Sequence, residues 1–446
     1  MSQPDPPGVP VASRGRRDAG VLAAGSLLGG LLAYVFFALV IRALGAGAAA
    51  PVTVLWAWWG FAGAALTFPV QHWIARTAST TSGEAAVRRG MGQVAAAVIV
   101  VSLTAGGLAW VARERLFGPD GEWFALLVVG VGLGSGLLGL PRGLLSGRHR
   151  FASVGASIVT ENAVRCLVAA ALVLAGSDNP VLYGLALLAG YAVVAVWPSA
   201  LRPHRAESPA PGNEGLPLSE ESSPRSADCD DATGPLRFVS GASAGQLVAQ
   251  ATLTGGPVLL AAIGGAPAQV TVLFAGLALF RAPYTLALGL VSALTGRLTR
   301  LVEGGRWARL TRLRRGIVVS TFVLGVAGAG LGAWWGPPVM EIVFGEGVRL
   351  APGDAALVAF GTVVAMANLV LTVGLLARGG AFAVVGGWLI AIPFGVLAHL
   401  GLVGDALTST CWTFVAIEVA AFVALAVTEA RSDHLVSREE DRGPEG

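Results

Sequence analysis

Long blocks of apolar residues, separated by short polar turns, dominate the pattern along this chain. A helix needs about 20 apolar residues to cross the hydrocarbon core of a membrane, and twelve blocks reach or approach that length. These spans lie at residues 18–42, 51–74, 92–112, 122–145, 151–176 and 180–200, and then at 237–263, 268–296, 315–338, 354–378, 380–403 and 405–429. The pattern therefore predicts an all-α polytopic membrane protein with twelve transmembrane helices.

One internal stretch breaks this pattern. Residues 202–235 are rich in Pro, Ser, Glu and Asp, and such a composition buries too little apolar surface to fold by itself. We predict five regions from these shifts in composition. They are a cytoplasmic N-terminal tail at 1–17, a first six-helix bundle at 18–201, a disordered cytoplasmic linker at 202–235, a second six-helix bundle at 236–429 and a cytoplasmic C-terminal tail at 430–446.

The two halves carry related sequences. GLLSGRHRFASVG at 143–155 aligns without a gap with GLLARGGAFAVVG at 374–386, an offset of 231 residues. LGAGAAAPVTVL at 44–55 similarly resembles IGGAPAQVTVL at 263–273. Because the matches are six spans apart, both halves cross the membrane in the same direction, and we expect a pseudo-two-fold axis along the membrane normal.

Charge sets the orientation. Charged residues make up 13% of the chain, against about 25% in an average soluble domain. Of the 30 basic residues, all arginines, 24 fall on one side of the predicted topology and four on the other. Positively charged turns stay in the cytoplasm, so we predict a multi-pass protein of the cell (plasma) membrane with both termini inside. Since these arginines are spread over many turns, no nucleic-acid partner is expected.

The sequence gives no sign of enzyme chemistry. It contains no nucleotide-binding loop and no serine, cysteine or histidine constellation. Its three cysteines lie far apart and match no metal-ligand spacing. We therefore predict a protein that is not an enzyme and that needs no metal or other cofactor.

Ionisable residues within the spans are the first candidates for a functional site, because they are costly in a membrane and normally face the bundle interior or a hydrated cavity. Span five places Ser153, Ser157, Glu161 and Arg165 four residues apart, which puts them on one helix face. Either they line a substrate cavity, or Glu161 and Arg165 only pair and hold span five to a neighbour.

Arg281, in span eight, is the most specific single candidate for a substrate-binding residue. It lies beside Pro283 without an acidic residue in helical reach. A guanidinium group there can bind a diphosphate through two parallel hydrogen bonds. The alternative is an ion pair with a carboxylate on another helix, such as Glu161 or Glu418.

Uncharged polar residues supply further candidates. Ser243, Gln246, Gln250 and Thr254 form a stripe along span seven, and Asn368 lies in span ten. They either bind sugar hydroxyls or make interhelical packing bonds. Pro257, Pro283 and Pro393 interrupt their spans, and they act as bending points or as static kinks.

Several motifs, taken in order, resemble a known family. RALG at 42–45, RGLLSGRHRF at 142–151, FRAPY at 280–284 and GPPVMEIVFGEG at 336–347 are similar to motifs of the polysaccharide-type (Wzx-like) flippases of the multidrug/oligosaccharidyl-lipid/polysaccharide (MOP) exporter superfamily. The resemblance covers about residues 18–429.

This resemblance implies a transporter that moves a polyprenyl-diphosphate-linked oligosaccharide from the cytoplasmic to the outer leaflet for cell-surface polysaccharide biosynthesis. Alternating access would drive the movement, with a lipid-linked glycan as substrate, the bilayer as partner and H⁺ or Na⁺ as coupling ion. Glu161 is the hypothetical proton carrier. A multidrug exporter of the same superfamily, driven by an ion gradient, is the alternative, although the mid-span Arg165 and Arg281 favour an anionic substrate.

Overall fold

The computed structural model describes residues 11–78, 83–148, 150–196, 246–284, 298, 301, 307–377, 380–401 and 404–441. All the regular elements within these ranges are helices. The predicted linker at 202–235 and the candidate Ser243 lie outside the described residues.

The described part of the first half contains seven helices. They are α1 (Val11–Ala62), α2 (Phe68–Ala78), α3 (Gly83–Val111), α4 (Arg113–Phe117), α5 (Gly121–Gly147), α6 (Phe151–Leu174) and α7 (Pro180–Ala189). A π-helical turn (Gly63–Thr67) joins α1 to α2, and a 3₁₀ turn (Gly190–Val196) extends α7. The described part of the second half contains α8 at 246–254, α9 (Gly256–Ala262), α10 (Pro267–Phe280), α11 (Trp307–Phe344), α12 (Pro352–Ala377), α13 (Ala381–Gly401) and α14 (Ala406–Asp441).

Helix α1 is a hairpin that contains the first span and the start of the second. Its backbone reverses at Gly45, which has φ 75° and ψ 165°. The rings of Phe37 and Trp56 lie 4.4 Å apart, whereas a straight helix would separate these positions by about 28 Å. The matching turn of the second half, between α9 and α10, also contains a glycine with positive φ, Gly264 at 88°. The structure thus repeats the hairpin where the sequence repeats.

In the described ranges, eight helices are long and apolar enough to cross a membrane, and one of them, Gly20–Ala78, holds both arms of the hairpin. Pro180–Val196 and Pro267–Phe280 are shorter apolar helices. Several helices extend beyond the predicted spans: α1 begins at Val11, α11 begins at Trp307 and α14 ends at Asp441. Arg and Glu are good helix formers in water, so a helix continues where hydropathy alone marks the end of a span.

The prolines predicted to bend helices differ in their positions. Pro257 lies in the first turn of α9, just after a break at Gly255, where its missing N–H is not needed. Pro283 follows the end of α10 in a helical turn at 282–284. Pro393 lies inside α13, which continues through it. Two of the three predicted interruptions thus coincide with helix ends, and the third produces no break.

The buried apolar residues show how the two halves meet. The largest cluster joins both halves, and its members include Phe37 and Trp56 from α1 and Phe274 from α10. It occupies the membrane half that lies opposite the Arg-rich turns. Towards the Arg-rich turns, the apolar residues form two separate clusters, one around Trp73 in the first half and one around Trp388 in the second. Among the described residues, the two bundles therefore share one apolar cluster at one end of the fold and have separate clusters at the other.

Close packing of α1 against α6 fixes the geometry of the first bundle. A Cβ added at Gly25 would lie 2.7 Å from the Cα of Gly155, so the two backbones are in direct contact. Small residues allow this kind of approach, which drives helix association in membranes.

We expect Gly25→Leu to destabilise the protein by about 1–3 kcal/mol, because the new side chain would force α1 and α6 apart. Thermal unfolding of the detergent-purified protein, followed by tryptophan fluorescence, measures this loss. Gly30→Leu on the same helix is the matched control, since a Cβ at Gly30 meets nothing within 4 Å. Equal melting temperatures for the two variants would contradict the packing.

Candidate functional site

The first bundle contains a buried ion cluster centred on Glu161. Its carboxylate is 2% exposed and lies between Arg142 of α5 and Arg165 of α6. Arg142 Nη2 is 2.6 Å from Glu161 Oε2, and Arg165 Nη2 donates to Glu161 Oε1. Arg142 Nε also donates to Ser157 Oγ at 2.9 Å. Two guanidinium groups and one carboxylate give this triad a net charge of +1.

Arg165 is fully enclosed by its surroundings. Its Nε donates to the carbonyl of Leu187 in α7 at 2.9 Å. Its guanidinium carbon lies 4.7 Å from the ring centroid of Trp59 and 5.6 Å from that of Tyr191. A Cβ at Gly190 would lie 2.5 Å from Arg165 Nε, so only glycine leaves room for this arrangement. Arg165 therefore ties α6 to α7 and to the second arm of α1 through both hydrogen bonds and cation–π contacts.

The geometry favours the pairing interpretation of Glu161, Arg165 and Ser157 over a cavity lining. Each has its polar atoms engaged by neighbours of the same bundle. Arg142, which belongs to the predicted span 122–145 and to the RGLLSGRHRF motif, was not among the predicted site residues, yet it lies within α5 and is 7% exposed. Helix α5 continues past Pro141 to Gly147, which carries Arg142 into the bundle interior.

Charge balance within the triad gives a testable order of stability. Glu161→Gln leaves two buried guanidinium groups without a carboxylate, and breaking a buried pair in this way costs about 3–5 kcal/mol. Arg142→Met leaves the oppositely charged Glu161 and Arg165 together, so this variant should lose less stability than Glu161→Gln. Thermal unfolding of the two purified variants and of the wild type tests the order. An Arg142→Met variant that melts below Glu161→Gln would refute it.

The junction between the bundles contains Arg281. This residue ends α10, and its side chain is half-buried. Tyr34 of α1 donates a hydrogen bond to the carbonyl of Ala278, one turn earlier in α10. Tyr34 and Tyr284 both lie near Arg281. Among the described residues, the Arg281 side chain has no ion pair or hydrogen bond, so neither Glu161 nor Glu418 pairs with it.

Part of the polar stripe on α8 also reaches this junction. Gln250 Nε2 lies 3.3 Å from Thr254 Oγ1, and a Cβ at Gly60 of α1 would be 3.0 Å from the same Gln250 nitrogen. Gln250 therefore faces the first bundle. Gln246, one turn away, is exposed.

The second bundle contains its own buried carboxyl group, Glu418 of α14. Asn368 Nδ2 of α12 donates to Glu418 Oε2 at 2.7 Å and to the backbone carbonyl of Glu418 at 2.9 Å. Both side chains are 1% exposed. Glu418 Oε1 and Asn368 Oδ1 are buried without a hydrogen-bond partner among the described residues. The sequence analysis considered Glu418 only as a partner for Arg281, although a lone carboxyl group within a span is itself a signal of function.

The polar centres of the two bundles are not equivalent. At the repeat offset of 231 residues, Glu161 corresponds to Ile392, and Glu418 corresponds to Leu187. A repeat that preserves the helices has therefore diverged in its buried charges.

No family model and no curated protein matches this sequence. Solved structures do match the fold. An inward-facing structure of a multidrug resistance MATE family transporter of the MOP superfamily has a TM-score of 0.64 at 13% identity, over 94% of this chain and 99% of its own. The fold is that of a MATE transporter. The predicted class of twelve transmembrane helices in two six-helix bundles is confirmed.

Two further solved structures of MOP superfamily transporters also match the fold. An outward-facing structure of a multidrug resistance MATE family transporter has a TM-score of 0.50 at 12% identity, over 94% of this chain and 96% of its own. A MOP superfamily transporter from Pyrococcus furiosus, whose binding pocket is described as reversed in polarity, has a TM-score of 0.51 at 11% identity. The match covers 94% of this chain and 95% of its own.

Proposed function

We propose that this protein is a membrane transporter that carries a polyprenyl-diphosphate-linked oligosaccharide from the cytoplasmic to the outer leaflet by alternating access. The observation that carries this proposal is Arg281, a half-buried cation at the junction of the bundles without a charge partner among the described residues. Isolated charges in a membrane protein are costly and mark substrate or ion pathways.

A diphosphate fits the chemistry around Arg281. Its oxygens accept charge-assisted hydrogen bonds from the planar guanidinium group. The phenol hydroxyl of Tyr284 is an additional donor near the same cation. Gln250, which faces the first bundle, and Gln246, which is exposed, supply amide donors and acceptors for sugar hydroxyls.

Four other residues predicted to bind substrate receive a different role. Glu161, Arg165 and Ser157 bond with one another or with neighbours in the first bundle, and Asn368 bonds with Glu418 in the second. We assign them to the interiors of their own bundles. The substrate site that we propose lies between the bundles, around Arg281.

The arginine distribution supports the proposed direction of transport. If the Arg-rich turns and both termini lie in the cytoplasm of a cell with this protein in its plasma membrane, the separated side of the bundles faces the cytoplasm. A lipid-linked glycan made at the inner leaflet would enter from that side, with its lipid chain remaining in the bilayer. Movement of the bundles about the junction would then expose Arg281 to the outer side.

Arg281→Ala should reduce export of the lipid-linked glycan at least tenfold while leaving the protein folded in the membrane, because the diphosphate loses its cation. Export is measured in cells that depend on this gene alone, with protein levels determined in the membrane fraction. Arg349→Ala is the matched control, since Arg349 is an exposed arginine of the same bundle outside the helices. Unchanged export by Arg281→Ala would refute the site.

A multidrug exporter driven by an ion gradient is the second candidate function. Multidrug resistance MATE transporters share the fold, and Glu418 offers a buried carboxyl group without a counter-charge among the described residues. Such a group suits cationic drugs.

The two functions predict different effects of the Arg281→Ala substitution on transport. A cationic drug gains nothing from a guanidinium group, so Arg281→Ala should leave drug resistance unchanged or raise it, while Glu418→Gln should abolish it. Resistance to a panel of cationic dyes, measured in a strain without its own exporters, tests this function. Loss of resistance in Arg281→Ala, with Glu418→Gln unaffected, would contradict the drug-export function.

A further inference from the structure

Three tryptophans lie close together on the second arm of α1, and one of them has an unused donor. Trp56 packs against Phe37, and Trp59 lies over Arg165. Trp58 is half-buried, and its Nε1–H, which is shielded from solvent, has no hydrogen-bond partner among the described residues. A shielded tryptophan N–H normally has an acceptor. Trp58 therefore has a donor left for a ligand.

Trp58 and Phe61 form an edge-to-face pair on this arm. Their ring centroids are 5.8 Å apart, and the rings are inclined at 73°. A Cβ at Gly255, in the break between α8 and α9, would lie 3.6 Å from Phe61 Cζ, so this part of the arm faces the second bundle. Trp58 and Tyr284 both pack on the margin of the apolar cluster that the bundles share. The aromatic pair thus lies at the junction that also contains Arg281.

The hairpin repeat places the pair at a depth close to that of Arg281. VTVL occurs at 52–55 in the first hairpin and at 270–273 in the second, and at this offset Arg281 corresponds to Gly63. Corresponding positions of repeats that are related by an axis along the membrane normal lie at equal depth. Trp58 precedes Gly63 by five residues, which is about 8 Å along a helix. A diphosphate at Arg281 would hold its first sugar at this level.

We propose that Trp58 binds a pyranose ring of the transported glycan, with Phe61 beside it in the same sugar subsite. This inference rests on the proposed function, because it places the sugar next to a diphosphate bound at Arg281. A pyranose has C–H groups on its faces and hydroxyls on its rim. An indole offers an apolar face and one polar edge, so the ring of Trp58 contacts the C–H groups while Nε1–H donates to a hydroxyl oxygen.

The surroundings of Trp58 suit a neutral, hydroxylated ring. Gln250 Nε2 lies 3.0 Å from the position of a Cβ at Gly60, two residues along the chain from Trp58, and it supplies a second donor for the rim of the sugar. An aromatic pair can also bind a planar cation, but the positive charge of Arg281 at a similar depth repels one. The arrangement therefore favours a sugar.

Binding of two probes to the purified, detergent-solubilised full chain tests this subsite. Both are farnesyl diphosphate esters of equal charge, with a methyl group on the terminal phosphate of one and glucose on that of the other. Isothermal titration calorimetry measures their Kd values. Wild-type protein should bind the glucose ester about tenfold more tightly, and Trp58→Leu should abolish this difference without changing the Kd of the methyl ester. Trp58→Phe keeps a ring but loses Nε1–H, so it should weaken binding of the glucose ester by about fivefold.

Trp334→Leu is the matched control, because Trp334 is a tryptophan of α11 that is 80% exposed. It should keep the wild-type Kd for both probes, whereas Arg281→Ala should weaken the binding of both, since they share the diphosphate. Equal affinity of the wild type for the two probes would overturn the sugar subsite, as would equal losses for both probes in Trp58→Leu. The wild-type comparison and Trp58→Phe decide the matter even if Trp58→Leu fails to fold.

The same measurements separate the failure of this inference from the failure of the proposed function. If the sugar subsite is wrong but Arg281 binds the diphosphate, the wild type binds both probes equally and Arg281→Ala weakens both. If the wild type binds neither probe, the sugar subsite and the diphosphate site are both wrong.

Discussion

The cost of placing a charge in an apolar interior governs the organisation of this protein. Water is not available between the spans to solvate a carboxylate or a guanidinium group, so each buried charge needs a partner or a ligand. The chain deals with this cost in three ways. Glu161 is enclosed between two arginines, Arg281 lies unpaired at the junction between the bundles, and Glu418 has one of its two oxygens satisfied. Only the first arrangement is complete, which is why we assign function to the other two.

Divergence between the repeats produces this difference. Both halves retain the glycine turn, at Gly45 and at Gly264, and both retain the helix order that follows it. The buried charges, in contrast, occupy non-equivalent positions. The first bundle contains the Glu161 triad, whose members bond to one another, whereas the second bundle contains both Arg281 and Glu418. The charged groups to which we assign function therefore lie in the second bundle.

Much of the fold follows from hydropathy and from the repeat. About 20 apolar residues per span is a strong constraint, so the twelve-helix fold class could be predicted from local composition alone. Side-chain contacts between helices have no comparable local signal. Arg142 lies near the end of a predicted span, and nothing in its neighbourhood in the sequence indicates that it contacts Glu161, 19 residues later. Likewise, the spacing of Asn368 and Glu418, 50 residues apart, gives no indication that they touch.

At the end of the fold where the two bundles share an apolar cluster, an arginine of the first bundle also contacts the second. Arg42, the first residue of the RALG turn, donates to the carbonyls of Ile342 and Val343 in the last turn of α11. These carbonyls have no acceptor role within the helix, and a cation there also complements the helix dipole. The bond links the first bundle to the second next to the shared apolar cluster. It is exposed, so water can replace it when the bundles separate. An apolar cluster and an exposed hydrogen bond thus join the two bundles, whereas the buried Glu161 triad lies within one of them.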